Sequence, residues 1–210
     1  GYMRMSSQKA SPKAEAVARA PQRRRGRERV AALLRAGEEV FAEKGFDAAT
    51  MTEIAARAGA SIGSLYQFFP TKELLADALQ DMNGEALLQM LDALDEIAQG
   101  AKPEVLIDRL FRDLSAFLEA HPSFVVLSDR PAADKAVKAE RRRRMRGRIA
   151  ALLGAMDPPL PRERAERMAI IVLHLMRVSV AISGDADLPV RDAVLDDLRA
   201  MLIRQIRDGA

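Results

Sequence analysis

The sequence predicts an all-α protein in which a small N-terminal three-helix unit precedes a larger C-terminal helical bundle, with about nine helices in total. Three observations lead there. Apolar residues recur at three- and four-residue spacing along most of the chain, the period of a helix with one buried stripe. No stretch alternates apolar and polar residues for long enough to make a useful strand. Between the stripes stand Thr, Ser, Gly and Pro, at the places where helices begin and end.

The first 22 residues lack apolar periodicity and contain Pro12 and Pro21, so residues 1–22 are expected to be a flexible basic arm. Gly1-Tyr2 ahead of Met3 is set aside as a cloning remnant, and the polar start carries no apolar core of a signal peptide. A first helix follows, on which Val30, Leu33, Leu34, Gly37, Val40 and Phe41 form one stripe that ends at Lys44-Gly45. Thr50 followed by Glu53 has capping-box spacing and starts a short second helix, with Ile54, Ala55 and Ala58 inward and Gly59 closing it. Ser61 caps a third helix that carries Leu65 and Phe68 inward and stops before Pro70. Thr71 caps a long fourth helix from Lys72 to about Gln99. Further helices are expected at about 103–120, 123–127, 133–156, 162–183 and 190–207, separated by Pro122, Pro131, Pro158, Pro159, Pro161, Gly184 and Pro189.

Composition narrows the function classes. With no cysteine the chain has no disulfides and no thiolate metal site. No run of about 18 uninterrupted apolar residues is present, so a cytoplasmic protein with no membrane partner is expected. Two histidines, no cysteine and no glycine-rich phosphate loop leave metal, thiol and nucleotide chemistry without their parts, so neither an enzyme nor a metal or cofactor is expected. The formal net charge is only +3, but Arg4, Lys9, Lys13, Arg19, Arg23, Arg24, Arg25, Arg27 and Arg29 crowd the N-terminus against Glu15 and Glu28, the footprint of a nucleic-acid partner or of a solvated tail. The run Arg141–Arg144, with Arg146 and Arg148, reads as a solvated helix face paired with acidic neighbours in preference to a second nucleic-acid patch.

Two short helices joined by a glycine-containing turn between about Thr50 and Phe69 form a helix-turn-helix pattern, whose second helix enters the DNA major groove. Phe41-Ala42-Glu43-Lys44-Gly45-Phe46, Met51-Thr52-Glu53-Ile54-Ala55 and the run from Ala60 through Tyr66-Gln67-Phe68-Phe69-Pro70-Thr71-Lys72 to Leu75 resemble the DNA-binding domain of the TetR/AcrR repressors. The likeness covers about Arg27 to Leu79. It implies a helix-turn-helix domain over residues 23–71, an effector-binding and dimerisation domain over 72–210, and a homodimer on double-stranded operator DNA that a small molecule releases. It places Thr50 and Thr52 near the DNA, Ile62, Gly63 and Gln67 on the recognition face, and Ser64, Tyr66 and Lys72 at phosphates, beside the cap residue Ser61. Gly63 lets the backbone approach a groove, and the Gln67 amide matches adenine or is simply an exposed polar group. Lys72 stands at a helix N-terminus, where a cation is disfavoured unless an anion is near.

The resemblance also implies a dimer formed by the last two helices, for which Met168, Ile171, Val172, Leu175, Val194, Leu195, Leu198, Met201 and Leu202 are the expected surface. A pocket is expected among the helices beginning near Lys72, Pro103, Ala133 and Arg162. His174 and Arg177 are isolated polar groups on an apolar helix and need partners, in a structural or interface role or at the acidic end of an otherwise apolar effector enclosed by Phe117, Phe124, Leu127 and Met145. The alternatives are a regulator or architectural DNA binder without an effector, whose C-terminal core would be filled, and a helical enzyme.

Overall fold

A computed structural model describes residues 12–128, 130–131 and 134–208 of the chain. Among these the chain forms ten helices and no strand: α1 (Pro12–Ala48), α2 (Met51–Arg57), α3 (Ile62–Phe68), α4 (Lys72–Asp92), α5 (Asp95–Ala98), α6 (Pro103–Ala120), α7 (Ser123–Ser128), α8 (Lys135–Ala155), α9 (Arg162–Gly184) and α10 (Arg191–Arg207). The first part of the expected arm lies outside the described residues. From Pro12 the backbone is helical, so the second part of the arm continues α1 in place of a flexible segment. Pro12 is tolerated in a first helical turn and Ala14, Ala16, Ala18 and Ala20 carry the highest helix propensity, which favours the helix against the interior Pro21, whose missing N–H removes one bond from the ladder.

Near its end α1 breaks at Gly45, whose φ of 78° and ψ of 172° suit glycine alone, and the chain turns toward α2 as the spacing predicts. The helix expected from Lys72 to Gln99 is instead two. It ends at Asp92, Leu94 is fully buried in the turn before α5, and the turn after α5 is tied to the end of α8: Gly100 N donates to Ala155 O at 2.8 Å and Asp157 N to Ala101 O at 2.9 Å. No glycine or proline marks the break at Ala93-Leu94, so the apolar periodicity reads as one helix.

Two cores result. Leu33, Val40, Phe41, Ile54, Leu65, Phe69, Leu75 and Leu79 knit α1 to α4 together, with Leu127 of α7 reaching in from the bundle. Gly37 lets α1 and α4 approach, because a Cβ there would lie 3.2 Å from Leu79 Cδ1. Phe68 was expected inward and is at the surface. Phe69 takes the core position because α3 ends at Phe68, and the extended backbone of Phe69 (φ −133°) turns its ring inward. The second core is built from α4, α6, α8, α9 and α10, with Leu91, Leu106, Leu114, Ile149, Val172 and Ile206 among its residues.

By length and composition α9 is apolar enough to cross a membrane, but Ala165, Met168, Val172, Leu173 and Met176 on it are core residues of the bundle. This burial corrects the expected dimer surface. Met168, Val172 and Leu202 are buried in the chain's own core and are not available to a partner. Leu175, Val194, Leu195 and Leu198 are half-buried, whereas Ile171 and Met201 are exposed, as are Ile170 and Val178 beside them on α9.

Candidate nucleic-acid interface and ligand cavity

The short helices α2 and α3 are too brief to be stable alone, so their caps and their packing define them. At the start of α2, Thr50 Oγ1 accepts from Glu53 N at 3.2 Å while Thr50 N donates to Glu53 Oε2 at 3.2 Å, the reciprocal pair the spacing predicts. Ser61 Oγ accepts from Ser64 N at 3.1 Å at the start of α3. With Leu65 wholly buried and Phe69 below it, α3 shows solvent the face that carries Ile62, Gly63, Tyr66 and Gln67. Ile62 is 40% and Tyr66 48% exposed, an unusual placing for side chains with so much apolar surface, and nothing lies within 4 Å of a Cβ built on Gly63. Thr50 and Thr52 are exposed on the same unit. Ser64 differs: its hydroxyl is buried and without a hydrogen-bond partner among the described residues, so it does not offer Oγ to a phosphate in this conformation.

Lys72 differs more. Its ammonium donates to three backbone carbonyls, Phe46 O at 2.7 Å, Ala49 O at 3.0 Å and Asp47 O at 3.1 Å, and stands 4.5 Å from the Phe46 ring centroid. All three donors are thus used on the end of α1, where partial negative charge collects. The cation at this helix start is thus met by the chain's own carbonyls.

Ion pairs hold α2 against α1. Arg57 forks onto Glu43 at 2.6 and 2.8 Å, and Lys44 bonds to Glu53. The Arg57 hydrogen bonds hold the Glu43 carboxyl below the usual carboxylate range, and those of Lys44 and then Thr50 do the same for Glu53.

In the C-terminal bundle a cavity of about 1020 Å³ lies among α4, α6, α7, α8 and α9. Leu87, Leu114, Phe124, Leu127, Met145 and Met176 line its apolar side. Of the residues expected to enclose an effector, Phe124, Leu127, Met145, His174 and Arg177 line it and Phe117 does not. Phe117 stands behind Phe124, ring edge to face at 5.2 Å, because its own stripe on α6 faces the core. His174 Nδ1 meets Ile170 O at 2.7 Å, so Nδ1 carries the proton and donates it to the preceding turn.

The cavity wall also reaches the N-terminal unit. Arg130 lines the cavity, pairs with Asp77 of α4 at 3.3 Å and lies 4.2 Å from the Phe46 ring centroid. Beneath it Glu38 of α1 accepts Ser123 N at 3.0 Å, Ser123 Oγ at 2.6 Å and Asn83 Nδ2 at 3.4 Å, with Ser123 and Asn83 fully buried.

Sequence reasoning missed these contacts, and it also missed Arg142. The arginine run is paired as expected at Arg141 with Asp81, Arg143 with Glu140, Arg144 with Glu85 and Arg148 with Asp92, but Arg142 faces the cavity. A signal existed, since Arg142, Met145 and Ile149 share one helical stripe.

Comparison with known proteins agrees with this geometry. Residues 33–79 match the family described as "Bacterial regulatory proteins, tetR family", and residues 102–204 match "Tetracyclin repressor-like, C-terminal domain". An HTH-type transcriptional repressor of Mycobacterium tuberculosis is 37% identical over 101 residues, 46% of this chain and 51% of that protein. The chain spans from a third to about half of the length of the curated relatives it matches. Among solved structures, a TetR-family transcriptional regulator from Streptomyces coelicolor superposes with a TM-score of 0.62 at 21% identity, covering 87% of this chain and 99% of that one. FadR from Bacillus subtilis, in complex with stearoyl-CoA, superposes with a TM-score of 0.58 at 15% identity, covering 82% and 96%.

Proposed function

Because the chain belongs to the TetR family of bacterial regulatory proteins and is a DNA-binding transcriptional regulator rather than an enzyme, we propose that it represses by binding a palindromic operator as a homodimer and is released by a small molecule in the C-terminal cavity. The observation that carries the DNA-binding part is the outer face of α3, where Ile62, Gly63, Tyr66 and Gln67 stand exposed on a helix fixed from behind. A helix presented in this way fits a major groove, with the Gln67 amide toward base edges and the Tyr66 hydroxyl, Thr50 and Thr52 toward the backbone. Lys72 and the Ser64 hydroxyl are left out of the contact set.

The cavity supports release by an effector over a binder without one, whose C-terminal core would be filled. A structure of the same fold holding stearoyl-CoA supports a small-molecule occupant. The route from cavity to DNA runs through Arg130 and α7: Arg130 touches both the cavity and Phe46, and α7 carries Phe124 and Leu127 on the cavity while Ser123 bonds to α1. A ligand that displaces α7 therefore displaces the unit bearing α3.

Selection of bound duplexes from random DNA tests the reading. The expected product is a dyad-symmetric site with half-sites about one helical turn, ~34 Å, or somewhat more apart. Gln67→Ala should alter base preference inside the half-site. Enrichment without dyad symmetry would remove the dimeric repressor from consideration.

A further inference from the structure

We propose that Arg142 and Arg177 form the anion-binding end of the cavity, and that its ligand is an amphiphilic organic anion, a carboxylate or phosphate headgroup on an apolar body. The proposal rests on the reading of this cavity as the effector site.

The cavity has both charged and apolar side chains in its lining, and its volume of about 1020 Å³ stands at the upper end of the roughly 300–1,000 Å³ usual for small-molecule sites. Four carboxylates border it, and each has at least one partner, although Asp77 Oδ2 is buried without one among the described residues. Asp77 pairs with Arg130, Asp81 with Arg141, Asp134 accepts Ala136 N at 2.9 Å and Val137 N at 3.1 Å at the start of α8, and Asp185 accepts Asp187 N at 3.2 Å. Arg142 and Arg177 line the same cavity, and neither has a hydrogen bond or ion pair among the described residues.

The two guanidiniums are moreover close enough to act on each other. Burial first, then the charges of Arg177 and Arg146, hold Arg142 below the usual arginine value. Arginine does not escape such a site by losing its proton, and with Arg177 exposed and Arg142 half-buried the pair is open to an anion from solvent. Ion pairing along the rest of α8 makes the exception informative: every neighbour that reaches α4 has an acidic partner there, and Arg142 has turned from that surface toward the cavity. Beyond the two cations, Met145, Leu114, Leu87 and Phe124 offer an apolar lining for the rest of the ligand. A headgroup at the guanidiniums with an apolar body among these side chains satisfies both halves.

The test titrates the full-length protein with dodecanoate, dodecyl phosphate, dodecanol and inorganic phosphate, reading affinity by calorimetry and the unfolding midpoint by scanning fluorimetry. Dodecanoate or dodecyl phosphate should bind about 10- to 100-fold more tightly than dodecanol, the worth of a charge-assisted hydrogen bond, and comparing the two shows which headgroup is preferred. Arg142→Met and Arg177→Met should each lose this preference while keeping the affinity for dodecanol. Without ligand, Arg142→Met should unfold at the parental temperature or above it, since a like charge has been removed.

Equal binding of dodecanoate, dodecyl phosphate and dodecanol, or a preference unchanged in both variants, would overturn the assignment. So would a lowered midpoint for ligand-free Arg142→Met, which would reveal a structural partner. Operator release is read in the same titrations. An arginine-dependent anion that binds and leaves DNA in place upholds the headgroup site and overturns the effector reading; release by dodecanol as readily as by dodecanoate, in parent and variants alike, does the reverse.

Discussion

Lys72 shows how one side chain changes meaning between sequence and structure. A lysine at a helix start asks for an anion, and the resemblance supplies a phosphate, but the folded chain supplies three carbonyl oxygens at the broken end of α1. Lys72→Ala should therefore cost about 1–3 kcal/mol of folding stability by leaving those acceptors unpaired, measured from urea unfolding midpoints. A variant of parental stability with a shallower salt dependence of DNA binding would return the ammonium to a phosphate.

Glu43 and Glu53 give a second test at this scale. Their folded pKa values are depressed, so their contribution is complete above the unfolded value of about 4.3 and is lost as pH falls through the folded values. Unfolding midpoints measured from neutral pH downward should show an acid-side decline that is smaller in the Glu43→Gln, Glu53→Gln double variant. An identical decline in parent and variant would remove these carboxylates from acid sensitivity.

Among the elements, α7 has only six residues yet joins the two units. Its N-terminal N–H and hydroxyl at Ser123 hold the Glu38 carboxylate of α1, its Leu127 completes the core of the DNA-binding unit, and its Phe124 and Leu127 border the cavity. Glu38→Ala would leave fully buried donors on Ser123 and Asn83 without an acceptor, an expected loss of about 2–4 kcal/mol. Because the contact joins the two units, the same variant should uncouple DNA release from ligand binding. Urea unfolding together with release titrations checks both outcomes, and a variant of parental stability would show that Glu38 stands outside the coupling.

For the whole molecule, the exposed apolar side chains Ile170, Ile171 and Met201 on α9 and α10 are the ones most suited to a second copy, and a two-fold axis would bring each of them in twice. Met201→Arg or Ile171→Arg should yield a folded monomer in sedimentation with weakened operator binding. Leu202→Arg, which places a charge in the chain's own core, should instead unfold the protein. A dimer that survives both surface variants would move the interface elsewhere.

The helical class, the cap residues Thr50, Ser61 and Thr71, the turn glycines Gly45, Gly59 and Gly100 and the exposed face of α3 were legible along the chain, because each depends on neighbours within about one helical turn. The resemblance likewise resides in that continuous stretch. Longer-range choices were not legible. Apolar stripes on α9 and α10 show that Met168, Val172 and Leu202 must be covered, but not whether this chain or a second copy covers them; the bundle decides, through α8 and α6 packed against them. Lys72 and Arg142 show the same limit for charges. Each needs a counter-group by physics alone, and only the tertiary structure brings three carbonyls to one and a second guanidinium to the other.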